Sequence, residues 1–419
     1  MRLTVIYRKL GPGFITGASD DDPSGIATYS QTGAQFGYGQ LWTAPFSFPF
    51  MAAIQETVGR IGLITGRGLA AIIKDHYSKK VLFTSVALLF IANIINIGAD
   101  LGAMASAAQM MLGRSFVGWL FAITIFTLAL EIFFSYKVYA RFLKYLTLSL
   151  LAYLIAAFLV KQDWSSVLYN TAIPRITFSK DYLFNVVAVL GTTISPYLFF
   201  WQASEEVEEE IVSHKLALTG RSKPKISVQD IKYMRVDTIV GMFFSNLIMF
   251  FIILTAAATL GAHGITEVNT AAEAAEALRP LAGNLTFLLF SVGIIGTGLL
   301  AVPILAGSAS YAVSEALGWN AGFYRRLVQA HGFYAVIALA MLAGLLVNFL
   351  SIPPFKMLYY TAVLNGLIAP ILLALIMLIS NRSDIMGRYV NSRLSNVLGW
   401  TATGFMTVVG AALVIAEIF

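Results

Sequence analysis

Long apolar stretches dominate this chain, and each is about as long as a helix that crosses a lipid bilayer. Such a helix needs about 20 mostly apolar residues, and about eleven such stretches follow one another here. With 58% hydrophobic residues and a mean hydropathy of +0.76 over 419 residues, little sequence remains for a soluble domain. We therefore predict an all-α polytopic membrane protein with spans at roughly 10–38, 40–63, 82–112, 115–135, 138–160, 181–212, 236–262, 283–316, 327–350, 355–380 and 395–418.

The distribution of basic residues predicts how the chain is oriented. Most of the 28 Lys and Arg residues lie in segments on the N-terminal side of the membrane, and basic loops stay in the cytoplasm. We expect a bacterial-type inner (plasma) membrane protein with a cytoplasmic N-terminus and, after an odd number of spans, an external C-terminus. Since short basic loops account for the net charge of +6, the expected partner is the lipid bilayer and not nucleic acid.

Two spans, the first and the sixth, contain a polar motif with proline where an uninterrupted helix would otherwise be expected. The motifs are Asp20-Asp-Asp-Pro-Ser-Gly25 and Thr192-Thr-Ile-Ser-Pro-Tyr197. Proline removes a helical hydrogen bond and disfavours helix in the residue before it, so the chain should unwind at both places. The two spans cross the membrane in opposite directions, which is typical of transporters built from inverted repeats with a site at the midplane.

The domain organisation follows from this symmetry. We predict one transmembrane transporter domain covering residues 1–419, with an inverted 5+5 repeat. The first repeat would cover about 10–160 and the second about 181–380, with an extra helix at about 395–418. Unwound segments expose backbone carbonyls, and the C-terminal ends of half-helices carry partial negative charge, so both breaks favour a cation.

Asp22 adds a full negative charge at the first break. An aspartate inside a span costs about 2.5–3.5 kcal/mol on insertion scales, and it persists mainly where it pairs or serves a pathway. No basic residue is near it in the helix, which favours a pathway role over that of a helix cap or an ion-pair partner. The adjacent Asp20 and Asp21 are equally compatible with an acidic vestibule and with capping or contact with water.

Four motifs carry a family resemblance: Gly11-Pro-Gly-Phe14, Asp22-Pro-Ser-Gly-Ile-Ala-Thr28, Gly37-Tyr-Gly-Gln-Leu-Trp42 and Gly66-Arg-Gly-Leu-Ala70. They resemble the first two helices of the Nramp divalent-metal transporters, and the similarity extends along the chain. The resemblance implies the fold of the amino acid, polyamine and organocation transporters, with metal held between broken helices 1 and 6. On this match Asp22 corresponds to the metal-binding aspartate and Thr192 to a residue that contributes its backbone carbonyl.

Three positions depart from the family pattern. Gly25 stands in place of a coordinating asparagine, Ser195 in place of a methionine and Tyr197 in place of a histidine. Without the thioether, oxygen ligands and water favour hard ions such as Mg²⁺ and Mn²⁺. Gly25 is expected to remove a ligand and enlarge the cavity, which suits an ion that keeps part of its water shell. The chain thus resembles the Nramp-related, magnesium-transporter-like bacterial branch most, with a metal site predicted at Asp22, Gly25, Thr192 and Ser195.

The same comparison bears on proton coupling, which in the family relies on that histidine and on acidic residues of helix 3. Asp100 keeps one of the acids, but Ala103 stands where a glutamate is expected. Because tyrosine ordinarily titrates at about pH 10, Tyr197 is no substitute for the histidine. We therefore expect weak or no proton coupling. Asn365, in the tenth span, is a candidate for the pathway or for a hydrogen bond between helices.

Other polar residues in the spans are assigned simpler roles. Hydrogen bonds between helices are predicted for Asn93, Asn96, Asn185 and Asn246. The acidic run Glu205–Glu210 at the end of the sixth span is expected to pair with the basic residues of the following loop rather than to attract ions. That loop contains Lys215 and ends near Arg235.

Competing functions fit the sequence less well. An amino acid carrier of the same fold would offer helix N-termini to a carboxylate, which three consecutive aspartates would repel. An intramembrane enzyme would need a nucleophile with a base or clustered ligands, whereas the chain has no cysteine and its histidines are far apart: His76, His214, His263 and His331. A passive channel, like an uncoupled transporter, moves ions downhill, and the two would be distinguished by turnover rate and single-channel conductance.

The sequence therefore predicts a secondary transporter or facilitator that moves divalent metal cations, Mg²⁺ and/or Mn²⁺, across the inner membrane with weak or no proton coupling. The alternatives are a proton-coupled Mn²⁺/Fe²⁺ importer and an amino acid transporter of the same fold. No catalytic residues and no cofactor are expected, because the metal ion is the transported substrate. We expect the protein to be a monomer.

Overall fold

The computed structural model describes residues 11–133, 150–216, 224–350 and 352–418. Within these ranges every regular element is a helix. The longer helices, numbered in chain order, are α1 (Pro12–Asp20), α2 (Pro23–Phe36), α3 (Thr43–Thr65), α4 (Leu69–His76), α5 (Lys79–Leu112), α6 (Phe116–Phe133), α7 (Leu151–Leu159), α8 (Trp164–Ala172), α9 (Lys180–Thr193), α10 (Pro196–Val212), α11 (Val228–Thr259), α12 (Thr286–Leu317), α13 (His331–Val347), α14 (Pro354–Ser380) and α15 (Arg393–Ile418).

Most of these helices lie at the predicted membrane spans, whereas α4 and α8 lie in predicted connections between spans. Among the described residues, seven stretches are long and apolar enough to cross a bilayer: Lys79–Leu112, Phe116–Phe133, Lys180–Val212, Val228–His263, Ala271–Leu317, Pro354–Ser380 and Arg393–Ile418. The apolar helix His331–Val347 is shorter. The predicted fifth span, 138–160, begins outside the described residues, and α7 forms its last part.

Both predicted helix breaks are present. The first separates α1 from α2 and the second separates α9 from α10. In each case proline, Pro23 or Pro196, is the first residue of the second half, where its missing N–H group costs no helical hydrogen bond. The residues before these prolines, Asp22 and Ser195, adopt extended backbone with ψ of 172° and 129°. The proline effect thus ends each first half and starts each second half.

Close contacts between glycines hold the first half of each broken helix in place. A Cβ atom added to Gly17 of α1 would lie 2.3 Å from the carbonyl carbon of Gly241 in α11. A Cβ atom on Gly191 of α9 would lie 2.0 Å from the carbonyl oxygen of Ala362 in α14 and 2.3 Å from the amide nitrogen of Gly366. Small residues allow membrane helices to approach this closely. The two breaks are therefore fixed inside the bundle, with α5 packed beside them against α12 and α14.

Candidate functional site: the two helix breaks around Asp22

Asp22 lies between α1 and α2 and is almost completely buried, with 1% of its surface exposed. Its Oδ1 atom accepts hydrogen bonds from the hydroxyl of Ser24 (2.6 Å) and from the amide of Gly25 (2.8 Å). Its Oδ2 atom accepts one from the side-chain amide of Asn96 (3.2 Å) and lies 3.4 Å from the hydroxyl of Tyr197. All four groups are neutral donors, and among the described residues no lysine or arginine pairs with Asp22.

The second break faces the first through hydroxyl groups. The Oγ atom of Ser24 lies 3.3 Å from Oγ1 of Thr192 at the end of α9. The hydroxyl of Ser195 is within hydrogen-bonding distance of the carbonyl oxygens of Gly191 (2.9 Å) and Thr192 (2.8 Å), to which it donates. A hydroxyl oxygen that donates its hydrogen keeps lone pairs that can still bind a cation. The structure thus brings Thr192 beside Ser24 at the first break, whereas Ser195 bonds within its own break, and the metal site at these residues stays a prediction.

Gly25 differs from its expected role. Its amide donates to Asp22, and it has no side chain that could bind an ion. A Cβ atom at this position would lie 3.3 Å from the carbonyl oxygen of Asp20 and 3.4 Å from Oγ1 of Thr192. The prediction that glycine enlarges the cavity is therefore wrong in this conformation, because the neighbouring helix ends close the space that a side chain would occupy.

Asp20 and Asp21 do not form a vestibule with Asp22. Both are buried, and the hydroxyl of Ser245 on α11 donates to Oδ2 of Asp20 at 2.7 Å and lies 3.4 Å from Oδ1 of Asp21. These carboxylates therefore contact α11, whereas Asp22 contacts α5 and α10. The roles considered from the sequence were an acidic vestibule and capping or contact with water; the structure instead shows both side chains buried against a hydroxyl of α11.

The remaining candidates surround the breaks at different distances. The hydroxyl of Tyr197 also lies 3.1 Å from the carbonyl oxygen of Ser19, which makes it a bridge between the two broken helices. Asp100 is fully buried on α5, and neither of its carboxylate oxygens has a hydrogen-bond partner in the described part of the chain. Asn365 is buried on α14 and is not one of the groups that donate to Asp22. It stays a candidate without a contact to the site.

Asn96 joins helices as predicted, but sequence reasoning missed that its partner is the carboxylate of Asp22 at the site. One signal was available: Asn96 lies four residues before Asp100, so both project from the same face of a helix. The other three asparagines behave as predicted. Each donates hydrogen bonds to another part of the bundle. Asn93 donates to the carbonyl of Leu305, Asn185 to Thr32 and Gln40, and Asn246 to Ser47.

The basic residues near the acidic run at the end of α10 form ion pairs with other acids. The two basic residues named for that role bind other acids: Lys215 pairs with Asp230 at 2.6 Å, and Arg235 pairs with Glu56 at 2.9 Å. Asp230 also forms the capping box that begins α11, which places its carboxylate beside Lys215. Lys215 also attracts the carboxylate of Glu210, and the basic residues Arg221 and Lys223 lie outside the described residues, so the pairing of the acidic run stays a prediction.

Two cavities lie at opposite ends of the bundle, and Asp22 lines neither. One, of about 280 Å³, is lined by residues from the end of α2 and the start of α9, including Gln31 and Lys180. The other, of about 480 Å³, is lined by the start of α1 and the end of α10, including Gly11 and Glu210. The buried carboxylate thus lies between two polar cavities.

The oxygen atoms around Asp22 that could bind a metal suit a hard cation. They are carboxylate, hydroxyl, carbonyl and amide oxygens, which are ligands preferred by Mg²⁺, Mn²⁺ and Ca²⁺. In the parts of the chain that the structure describes, no three His, Asp or Glu side chains converge as a metal-binding group. An ion bound at Asp22 would therefore complete its coordination largely with neutral oxygens and water.

Comparison with known proteins identifies the family. A family model described as natural resistance-associated macrophage protein-like (Nramp) matches residues 13–416. The divalent metal cation transporter MntH of Clostridium acetobutylicum is 24% identical over an alignment of 424 positions, which covers 94% of this chain and 88% of that protein. The MntH protein of Caldanaerobacter subterraneus subsp. tengcongensis is 22% identical and covers 99% of this chain and 94% of its own.

Solved structures confirm the predicted fold class. A mutant of the Eremococcus coleocola manganese transporter superimposes with a TM-score of 0.74 at 15% identity, over 97% of this chain and 86% of that one. MHP1, a nucleobase-cation-symport-1 family transporter in a closed conformation, gives a TM-score of 0.58 at 14% identity, over 98% of this chain and 92% of that one. The fold is therefore the all-α inverted-repeat architecture with broken first and sixth spans. Since the family model covers nearly the whole sequence, this chain is a membrane transporter rather than an enzyme, and it belongs to the Nramp family.

Proposed function

We propose that this chain carries divalent metal cations across the membrane and binds them between the two helix breaks. One observation carries the proposal: a buried carboxylate, Asp22, is held by four neutral donors at the point where both broken helices expose oxygen atoms. A buried carboxylate without a basic partner is costly unless a cation or a proton neutralises it. Relatives described as divalent metal cation transporters, and a structural neighbour described as a manganese transporter, support the same substrate class.

The preferred ions in this proposal are hard, Mg²⁺ and/or Mn²⁺. Ser195 places a hydroxyl where the family pattern has a thioether, and the groups that contact Asp22 contribute oxygen and nitrogen but no sulfur. Gly25 offers no side-chain ligand, so water would fill part of the coordination shell. Mg²⁺ gives up its water reluctantly and suits such a site. The proposal that the bound ion keeps water is supported by the lack of a side-chain ligand at Gly25 and not by a larger cavity.

We further propose that transport is coupled weakly or not at all to protons. Ala103 provides no second acid on α5, and the hydroxyl of Tyr197 bridges Ser19 and Asp22 in place of a histidine. The membrane potential is a sufficient driving force for uptake. It contributes about 2.3 kcal/mol per charge per 100 mV, and about 4.6 kcal/mol for a divalent ion.

The proposed mechanism is alternating access at one enclosed site. Asp22 is 1% exposed and lines neither cavity, which favours a carrier over an open channel. Rocking of one repeat against the other would connect Asp22 to each cavity in turn. We propose a monomer in a bacterial-type inner membrane, with the N-terminus in the cytoplasm and the C-terminus outside. The cavity of about 480 Å³ then faces the cytoplasm.

Flux into proteoliposomes tests this function. Purified protein would be reconstituted and uptake of Mg²⁺, Mn²⁺, Ca²⁺ and Cd²⁺ followed while internal pH is recorded, with radiolabelled amino acids as competing substrates. We expect saturable Mg²⁺ and Mn²⁺ uptake that responds to the membrane potential without acidification. Asp22→Asn should reduce it about 30-fold or more, since losing one partner of a buried charge pair costs about 2–5 kcal/mol.

Asp384→Asn is the matched control, because this exposed carboxylate pairs with Arg382 outside the membrane spans. Its uptake should equal that of the wild type. Strong proton flux with Mn²⁺ and no Mg²⁺ uptake would contradict both the ion preference and the coupling proposal. Amino acid uptake without metal uptake would contradict the substrate class.

A further inference from the structure

A second group of carboxylates lies at the far end of α10, outside the site around Asp22. Glu206 and Glu210 are four residues apart and so lie on the same face of the helix. Both line the cavity of about 480 Å³, together with Glu209, Asp230 and Asp237. Among the described residues that line it, Lys215 is the single lysine or arginine.

The lining acids differ in whether they have partners. Asp237 accepts hydrogen bonds from the amides of Gly11 (2.9 Å) and Phe14 (3.2 Å), so it caps the start of α1. Lys215 pairs with Asp230 at 2.6 Å and also attracts the nearby carboxylate of Glu210 without a direct hydrogen bond to it. These contacts account for the positions of Asp237 and Asp230, so no bound ligand is needed to explain these two acids.

Glu206 and Glu210 are not explained in this way. Glu210 is 2% exposed, and neither of its carboxylate oxygens has a hydrogen-bond partner among the residues described. Glu206 is 4% exposed and interacts with the side chain of Gln202, but its Oε1 atom has no hydrogen-bond partner among these residues. Native structures seldom leave buried carboxylate oxygens without partners, because such groups lose their hydration without compensation. The two side chains line a polar cavity, where water or a cation can supply the missing interactions.

We propose that Glu206 and Glu210 form a second cation site, which holds a hydrated divalent metal ion at the mouth of the transporter on the side of the N-terminus. This inference rests on the proposed function for its biological role. It concerns a different pair of side chains, and Asp22 is not among the residues that line this cavity.

The geometry favours a hydrated ion over a bare one. No three acidic or histidine side chains converge within the described ranges, so the pair cannot enclose an ion without water. An ion with six water molecules occupies the space of about seven waters, or about 210 Å³ at about 30 Å³ each. The cavity of about 480 Å³ accommodates it. Two carboxylates match the charge of a divalent ion, and Mg²⁺ and Mn²⁺ both bind oxygen ligands with water retained.

The position along α10 gives the site a role. Ser195, at the helix break, is eleven residues before Glu206 in sequence, or about 16 Å along a helix that rises about 1.5 Å per residue. An ion that leaves the Asp22 site towards this side would meet Glu206 and then Glu210. Acidic clefts raise the local concentration of cations, so the pair would receive ions at this mouth before entry or after release.

Mn²⁺ binding measured by electron paramagnetic resonance tests the proposal on the full-length protein in detergent. The free ion gives a sharp signal that is lost on binding, so titration gives the number of bound ions. We expect two Mn²⁺ per chain in the wild type, one in Asp22→Asn, one in the double variant Glu206→Gln/Glu210→Gln, and none in the triple variant. Mg²⁺ should displace Mn²⁺ from the remaining site of Asp22→Asn, and Na⁺ at equal ionic strength should not.

Two further variants guard against misfolding and general charge effects. Glu206→Asp/Glu210→Asp keeps both charges on shorter side chains and should still bind two ions, with weaker affinity at one. Glu276→Gln removes an acid that pairs with Arg279 at the opposite end of the molecule and should change nothing. In transport assays, the Gln pair should raise the KM for uptake from the N-terminal side about tenfold, with the KM from the other side unchanged.

The outcomes separate the two claims. If Asp22→Asn binds no Mn²⁺, or if the Gln pair still binds two ions, the second site does not exist and the proposed function is unaffected. Displacement by Na⁺ as readily as by Mg²⁺ would overturn the preference for divalent ions. If Asp22→Asn binds as many ions as the wild type and transports normally, the proposed function fails, whatever happens at Glu206 and Glu210.

Discussion

The contacts of Asp22 show how one carboxylate can serve both the fold and transport. Its Oδ1 atom caps α2 through Gly25 and binds Ser24, while Oδ2 faces α5 and α10. The capping role considered from the sequence is therefore present, and it is compatible with the proposed pathway role. A carboxylate that already has neutral donors is oriented without being neutralised, so its charge remains available to an exchangeable cation.

Replacement of Asn96 tests whether the orientation of Asp22 affects binding. In Asn96→Ala the Oδ2 atom loses its amide donor, and we expect affinity for Mg²⁺ or Mn²⁺ to fall about 10-fold or more, as when partners of metal ligands are removed elsewhere. Asn93→Ala is the matched control, because Asn93 donates to the carbonyl of Leu305 at 2.9 Å, away from the site. It should lower stability by about 1 kcal/mol without changing affinity. Equal affinities in both variants would contradict the role of Asn96.

Replacement of Ser195 tests whether the second break faces the ion. Ser195→Met introduces a thioether, which favours softer ions, so Cd²⁺ affinity relative to Mg²⁺ should rise about tenfold, or about 1.4 kcal/mol. Ser195→Ala removes the hydroxyl without adding sulfur and should not show this gain. Calorimetric titration of the purified variants measures both affinities. Unchanged Cd²⁺ binding in Ser195→Met would mean that Ser195 does not contact the ion.

At the scale of residues, the sequence predicted the position of the Asp22 carboxylate and the two helix breaks better than it predicted which side chains surround them. Asp22, Thr192 and Ser195 could be placed because proline marks where their helices end. The spacing of Asn96 and Asp100 indicates that they share a face of α5, but it does not indicate that this face lies against Asp22. The environment of Gly25 was missed because it depends on how closely the ends of α1 and α9 approach.

At the scale of elements, the paired glycines decide how closely the broken helices approach their neighbours. Proline chemistry predicted both breaks, and hydropathy predicted the positions of the helices. The contacts of Gly17 with Gly241 and of Gly191 with Gly366 did not follow from the sequence. Glycine is common in membrane helices, and its presence does not reveal which helix lies against it.

Gly191→Ala tests this packing. The added methyl would lie 2.0 Å from a backbone oxygen of α14, which has no rotamer to relax, so we expect a loss of about 1–3 kcal/mol and a lower melting temperature in detergent. Gly404→Ala on α15 is the control, because a Cβ atom there meets nothing within 4 Å. Alanine favours a helix over glycine by about 1 kcal/mol, so this variant should be as stable as the wild type or more stable. Similar melting temperatures for the two variants would contradict the close packing.

At the scale of the whole molecule, Asp22 is enclosed between two polar cavities at opposite ends of the bundle. The fold predicted from two oppositely oriented breaks is confirmed by its structural relatives, whereas the repeat boundaries near 160, 181 and 380 stay a prediction. Hydropathy indicates where helices cross the membrane, but it carries no information on which cavity is open. The enclosed state therefore became visible only in three dimensions, where Asp22 is 1% exposed.

The location of the bound ion tests the central claim most directly. Crystals of the protein soaked with Mn²⁺ would be measured for anomalous scattering, with Asp22→Asn crystals treated in the same way. We predict an anomalous peak between the two helix breaks, in contact with the Asp22 carboxylate or one water layer from it, near the oxygens of Thr192 and Ser195. The peak should be absent in Asp22→Asn. A peak that persists in Asp22→Asn, or a transport-competent protein with no peak between the breaks, would contradict the account.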